Sequence, residues 1–388
     1  MRAGLILLCL AYVLSQFFRA FLAVLSGPLA LDVGATPDDL ATASGLMFAT
    51  FALMQLPVGW ALDRVGPRRT AAVLLLLGGG GGAALFALAS SPLHINLAMA
   101  LIGAGCSPVL MASYYIFARQ FSAARFATLA ALMLGVGSFG NLVASYPMAW
   151  AAETIGWRAA LWGLAAVSVA AALGILVLVR DPEAVGGDTR GSLLDLLKMP
   201  AIWAILPLMF VAYAPAAALR GLWAGPYLRD VFGLDTGQVG QATLVMGVAM
   251  IAGTFAYGPL DRLFNSRKWV IFTGNVICMA AIFALMLWPD RSLGLSIALL
   301  AVIGLAGSTF PVLIAHGRAF FPAHLAGRGV TLLNLFGIGG VGVAQFASGP
   351  LHAAAPSALA GYIAIFALFG FALLAGLVTY LWSRDSMA

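Results

Sequence analysis

Long apolar runs, broken by short polar segments, fill this chain of 388 residues. A run of about twenty apolar residues is long enough for a helix to cross the hydrocarbon core of a bilayer. Such runs recur from one end to the other and predict twelve spans, at 4–26, 40–61, 71–90, 95–118, 127–150, 159–179, 201–225, 239–258, 269–288, 294–315, 329–350 and 358–382. An all-α membrane protein follows.

The basic residues orient the spans. Connections after the odd-numbered spans hold only Arg158, Arg229 and Arg291. The opposite side collects Arg2, Arg64, Arg68, Arg69, Arg119, Arg125, Arg180, Arg190, Lys198, Arg262, Arg267, Lys268, Arg318, Arg328 and Arg384. Fifteen against three predicts that both termini are cytoplasmic. The one long polar connection, Arg180–Lys198, is rich in Gly, Pro and acidic residues and reads as a linker, followed by a short interfacial helix at Leu193–Met199. The expected organisation is a six-helix half at 1–180, a cytoplasmic linker at 181–199 and a second six-helix half at 200–388.

The halves repeat one another at offsets of about two hundred residues. Arg19-Ala-Phe-Leu-Ala23 matches Arg220-Gly-Leu-Trp-Ala224, and Pro28-x-x-x-Asp32-Val33 matches Pro226-x-x-x-Asp230-Val231. In spans 4 and 10, Ile102-Gly103 and Pro108-Val109-Leu110 match Ile303-Gly304 and Pro311-Val312-Leu313. Gly137-x-x-Gly140 of span 5 is paired with Gly339-x-x-Gly342 of span 11. Both halves begin on the same side, so the repeats are parallel, related by an axis along the membrane normal.

Composition agrees: 62% of residues are hydrophobic and 9% charged, against roughly 25% charged in a soluble domain. Mean hydropathy is +1.01. The net charge of +6 belongs to loops; without a basic stripe or a binding motif, no nucleic-acid partner is expected. Cys9, Cys106 and Cys278 lie singly in apolar runs, which indicates neither disulfides nor a zinc site. Met1–Ser15 is not read as a signal peptide, because its apolar run continues past Arg19 and has a counterpart in the second half. No phosphate-binding Gly loop with Lys, nucleophile elbow or metal-ligand cluster is present, so neither an enzyme nor a cofactor is expected.

Gly59–Arg69, G-W-A-L-D-R-V-G-P-R-R, is a charged hinge between spans 2 and 3. It resembles the G-x-x-x-D-R-x-G-x-R-R loop of the major facilitator superfamily. A weaker echo, Gly258-Pro-Leu-Asp261-Arg262 with Arg267 and Lys268, occupies the same place in the second half. The resemblance covers essentially the whole chain and implies twelve transmembrane helices in two parallel six-helix repeats. It also implies a conformational latch at Gly59, Asp63, Arg64, Gly66 and Arg68, with Asp261 and Arg262 in the echo. In that scheme Asp63 pairs with a helix end or an arginine of the other half in the outward-open state.

Arg19 and Arg220 are charges well inside spans 1 and 7, and intramembrane charges are functional by default. Both lie in the outer third of their helices, so snorkelling to the interface is the plainer alternative. The resemblance implies that spans 1 and 7 flank a central cavity, with both guanidiniums toward one substrate; organic-phosphate antiporters of the superfamily carry a similar arginine pair. Arg forks suit carboxylate or phosphate. Gln16, Tyr115, Asn141, Trp223, Gln241 and Asn334 are further candidates for lining a polar cavity. No Asp or Glu lies deep in a span, so proton coupling lacks an obvious carrier beyond His316. Glycines of spans 5 and 11 let helices approach and slide. The superfamily's antiporter signature on the fifth span is not matched, since Gly140 is followed by Asn141, and this favours uptake. Gly78–Gly82 reads as a packing face.

Met246-x-x-x-Met250 and Asn275-x-x-x-Met279, with Cys278, resemble the CcoA-like branch of the superfamily, which holds copper importers and relatives importing riboflavin. Soft sulfur ligands suit Cu(I), but Asn275 stands where those importers have His, and two cavity arginines would repel a cation. The leading expectation is therefore a monomeric inner-membrane symporter or uniporter importing a small polar or anionic metabolite, an organic anion or flavin-like molecule. A copper importer is the alternative within the fold, and a transport-incompetent sensor is the alternative outside transport.

Overall fold

The structure, a computed structural model, describes residues 2–121, 123–182, 196–322 and 326–386. Helices dominate these residues and no strand occurs among them. Ten helices among them are long and apolar enough to cross a membrane, from Pro37–Arg64 to Ala358–Tyr380. The first expected span is instead two helices, Ala3–Phe18 and Leu22–Val33, bent by 56° at a break that contains Arg19. The fifth falls on Ala123–Val143 and Tyr146–Thr154, separated at Ala144 and Ser145. Residues 183–195, which hold most of the expected linker, Arg190 and the start of the proposed interfacial helix, lie outside the described residues.

Local chemistry sets the ends. Thr36 and Asp39 form a reciprocal capping box before span 2, with Thr36 N–H donating to Asp39 Oδ2 at 2.9 Å and Asp39 N–H to Thr36 Oγ1 at 3.2 Å. Ser266, Ser292 and Ser357 cap spans 9, 10 and 12 through their hydroxyls. Spans 1 and 7 end on the left-handed glycines Gly34 (φ 66°) and Gly233 (φ 72°), a matched pair between the repeats. Spans 4 and 10 are both interrupted just before a proline, at Ser107 and at Gly307–Thr309. π-helical turns occur at Leu75–Gly80 of span 3 and Leu219–Trp223 of span 7.

The chain forms two compact units, Met1–Gly187 with Thr236–Gly240 and Asp188–Asp235 with Gln241–Ala388. Within the first, Gly78 and Gly105 lie backbone against backbone where spans 3 and 4 cross, which makes Gly78–Gly82 a packing face as expected. Gly137 admits the Tyr12 ring and Gly140 abuts the Val13 carbonyl of span 1. In the second unit the equivalent contacts are made by Gly337, against Phe310 and Met209, and Gly340, against the Phe210 carbonyl of span 7. The repeat register in span 11 is thus two residues earlier than the Gly339-x-x-Gly342 pairing suggests, because backbone approach and not motif identity fixes it.

The hinge after span 2 is held from a distance. Gly66 takes φ 96°, and span 3 starts at Pro67. Asp181, just past span 6, accepts the Arg68 N–H at 2.8 Å and lies 3.6 Å from its guanidinium. A Cβ on Gly66 would stand 3.0 Å from that carboxylate, so glycine serves both the backbone angle and the approach. In the second half Asn265 (φ 47°) replaces Gly66, and asparagine is among the residues that tolerate this region. Asp385, just past span 12, accepts the Arg267 N–H at 3.2 Å and the Ser266 hydroxyl. Asp261 bonds Arg267 Nε at 3.1 Å. Each half therefore caps its third helix, anion against helix N-terminus, with an aspartate that follows its sixth.

Two outcomes follow from these contacts. Gly105→Ala places a methyl inside the Gly78 backbone and lowers stability by about 1–3 kcal/mol, read as the unfolding midpoint in detergent. Gly81→Ala, whose Cβ meets only Leu76 O at 3.9 Å, leaves the midpoint unchanged or raises it. Asp181→Ala and Asp385→Ala each remove a cap worth about 1 kcal/mol. Amide exchange at Arg68 or Arg267 then accelerates about fivefold; equal exchange in parent and variant would show that the carboxylates do not hold these turns.

Candidate functional site

In the first half the site is built on the break in span 1. Arg19 sits in the turn between the two helices, and its guanidinium lies over the Phe51 ring of span 2 at 4.4 Å. Its Nε is buried without a hydrogen-bond partner among the described residues. A cation resting on an aromatic face keeps its N–H fork available to an anion. Gln16 is one turn earlier and donates to the Tyr12 hydroxyl at 3.2 Å. Cys106, buried at the break in span 4, feels the Arg19 charge and neighbours Ser15. Gln55, one turn after Phe51, donates to the Phe51 carbonyl at 3.2 Å and stays inside at 1% exposure. Asn141 is half-buried in span 5.

In the second half the corresponding turn is π-helical. Arg220 is 3% exposed and packs on Gly247 of span 8, where a Cβ would stand 2.9 Å from Nη2 and 3.1 Å from Nε. Tyr213 is its electrostatic neighbour, and the Tyr213 ring packs on Phe310 at 4.9 Å. Trp223 closes the same turn. Its indole N–H donates to Gln345 Oε1 at 3.1 Å and Ser348 Oγ at 2.9 Å, while Gln345 Nε2 reaches back to the Ala218 carbonyl at 3.4 Å. Trp223 is thus a strut of the Arg220 turn as well as a cavity candidate. Gln241 is exposed and Asn334 half-buried.

Tyr115 does not stand with Arg19. Its ring lies under the Arg119 guanidinium at 4.0 Å and its hydroxyl beside Asp63, at the hinge end of its helix. Asp63 and Arg64 are exposed. The Asp261 of the echo, in contrast, is occupied within its own half by Arg267.

The sulfur set of the copper alternative is spread over helix packing. Met246 and Met250 both lie against Gly304 of span 10, and Cys278 lies against Gly307 one turn further on. Asn275 is fully buried and donates to the Ile271 carbonyl at 2.9 Å and Thr309 Oγ1 at 3.0 Å. Met279 is half-buried. Among the described residues no group of three or more His, Cys, Asp or Glu side chains converges to hold a metal ion.

Phe51, Gly247, Asp181 and Asp385 escaped the sequence reading. The two aspartates carried a signal, since Arg180-Asp181 and Arg384-Asp385 end the two repeats alike. Phe51 and Gly247 carried none, because an apolar residue in an apolar run announces no role.

Among curated proteins the chain is similar to a chloramphenicol resistance protein of Streptomyces lividans, 28% identical over 365 residues that cover 86% of this chain and 83% of that protein. Among solved structures it is similar to a D-xylose-proton symporter, with a TM-score of 0.80 at 14% identity, covering 99% of this chain and 98% of the other. A bacterial homologue of the human lysosomal transporter Spinster, in an inward-facing unoccupied conformation, gives 0.76 at 17% over 98% and 94%. A nucleoside transporter gives 0.76 at 15% over 98% and 99%. At these identities the likeness concerns the fold alone. The family profile matches residues 8–344, nearly the whole chain, and with it the hinge, the repeats and the helices fall into one frame: the protein is a member of the Major Facilitator Superfamily.

Proposed function

We propose that this protein is a secondary transporter that works by alternating access and imports a small polar or anionic organic metabolite across the cytoplasmic membrane. The observation that carries the reading is the arginine pair. Arg19 and Arg220 lie in the first spans of the two halves, about one helical turn apart in repeat register, each on an irregular turn inside an apolar helix, and Arg19 shows a buried, unbonded Nε. Each guanidinium suits a planar, anionic or strongly polar group. The hinge Gly59–Arg69 is the cytoplasmic latch: Asp63 is exposed, and its role is to pair with a helix end or an arginine in the outward-open state. The two repeats are rigid halves, both termini are cytoplasmic, and the chain works as a monomer without a cofactor.

A second reading is favoured by the similarity to a chloramphenicol resistance protein: export of a polar aromatic solute through the same site. The two differ in direction and in charge selectivity. Proteoliposomes offered benzoate, riboflavin 5′-phosphate, riboflavin, chloramphenicol and Cu(I), each with and without a pH gradient, separate them. Import of the anionic or flavin compounds is expected. Chloramphenicol export with no uptake of the others would replace the leading reading, and copper uptake lost in Met246→Leu would replace both. A chain that moves none of them would favour the sensor.

Within the leading reading, Arg220→Lys keeps the charge, loses the planar fork and lowers uptake about tenfold. Arg220→Ala is worse, and adding Arg19→Ala changes little more. Gly247→Ala presses a methyl on the guanidinium and also impairs uptake, while Met246→Leu and Met250→Leu preserve volume and leave it near parent. Asp63→Asn slows turnover at near-normal expression; unaltered turnover would confine the hinge to folding. Cysteines at Arg190 and Arg384 are expected to label from the cytoplasmic side, and one at Asp290 from the other.

A further inference from the structure

The repeats place an aspartate at the end of spans 1 and 7, and the two have different company. Asp32 is closed by strong donors: Trp157 Nε1 at 2.7 Å and Arg158 Nη1 at 2.9 Å, with Arg158 Nη2 anchored on the Ala89 carbonyl at 3.0 Å. Asp230 instead accepts the Tyr362 hydroxyl at 2.5 Å on Oδ2, and the adjacent Arg229 lies 3.2 Å from Oδ1. Tyr362 is fully buried, and its ring lies 4.8 Å from the imidazole of His352. The indole of Trp223 completes the triangle, 5.2 Å from His352 and 6.3 Å from Tyr362. Gly361 makes this approach possible, because a Cβ there would stand 2.6 Å from His352 Cδ2.

Three features around this imidazole suit a cation. His352 lies in the last turn of the helix Ala326–Ala353, where the helix dipole is negative. Two aromatic rings lie within cation–π range of it. The Asp230 carboxylate stands behind Tyr362, whose hydroxyl it accepts while the Tyr362 ring packs on the imidazole. The other charged groups of the neighbourhood are Arg229, beside Asp230, and Asp290, which acts on Tyr227 where that ring packs 5.4 Å from Tyr362. Histidine is the side chain whose charge changes in the physiological range.

The geometry points to His352 as a proton-binding site whose occupancy is transmitted to the Arg220 turn by Trp223. A proton on His352 tightens its contact with the indole. That indole is hydrogen-bonded to Gln345 and Ser348 on the helix that carries His352, and Gln345 in turn holds the Ala218 carbonyl next to the π-turn. Proton binding and the shape of the Arg220 turn are thereby linked, and linkage is reciprocal: whatever Arg220 binds alters the proton affinity of His352. The step from turn to transport rests on Arg220 as a solute contact; the proton site itself does not.

The test uses the full chain in detergent without any solute, so its failure leaves the solute reading standing. Imidazole C–H and indole N–H resonances are followed by NMR between about pH 5 and 8, with His352→Gln identifying the histidine signal. The Trp223 indole signal is expected to shift with pH at the same midpoint as His352, and to stop shifting in His352→Gln. Asp230→Asn, and Tyr362→Phe, which keeps the ring packing, each weaken proton binding at His352 about threefold. A Trp223 shift that persists in His352→Gln, or a His352 midpoint unmoved by both other variants, would overturn the proposal.

Discussion

A peptide group or a charge left unpartnered in hydrocarbon costs several kcal/mol, and the departures from regular helix in spans 4, 7 and 10 are shaped by that cost. Where span 4 is interrupted before Pro108, the Ser107 hydroxyl takes up the Ala104 carbonyl at 2.7 Å. At the matching break in span 10, the Tyr257 hydroxyl takes the Ala306 carbonyl at 2.9 Å and Ser308 takes that of Gly304 at 2.8 Å. Beside the π-turn of span 7, Gln345 reaches the Ala218 carbonyl. The polar side chains inside the spans are largely committed to this repair. Those left over, above all the Arg19 fork, are the ones with chemistry to offer.

The duplication shows that one mechanical task tolerates several chemistries. The tight turn before the third helix of each half uses Gly66 in one copy and Asn265 in the other. The first residue after it is Pro67 or Ser266, and both suit a helix start. What does not vary is the remote carboxylate, Asp181 or Asp385, on the following N–H. An anion at a helix N-terminus is the constant, and the residues around it adjust. Asp32 and Asp230 show the reverse: a shared residue whose partners have diverged.

The fold was largely legible because hydrocarbon thickness imposes a length on each apolar run, and ten long helices stand where such runs were read. The break in span 1 was not legible. Phe17–Leu25 is apolar apart from Arg19 and holds neither Pro nor Gly, so no local breaker marks it. The glycine register of span 11 was misread for a related reason: four glycines stand within six residues, and only the carbonyl of Phe210 decides which one faces span 7. Of the candidate site, the arginines were conspicuous as charges in apolar surroundings. The partners that define them were not, since Phe51, Gly247 and the capping aspartates are brought near by tertiary folding alone.

The bend at Arg19 also has a bearing on how alike the two halves are. From Arg19 to Pro28 the chain runs nine residues, and from Arg220 to Pro226 only six. Counted from the matched contacts of Val13 and Phe210, however, the prolines lie fifteen and sixteen residues on, so the spans are nearly equal in length and it is the arginines that stand about one turn apart. One copy breaks and the other widens to a π-turn, and both bring their ends to the same kind of left-handed glycine cap. The two arginines therefore sit on turns of unlike shape. Arginines held in such different ways are not interchangeable, and the second half of the chain is no functional copy of the first.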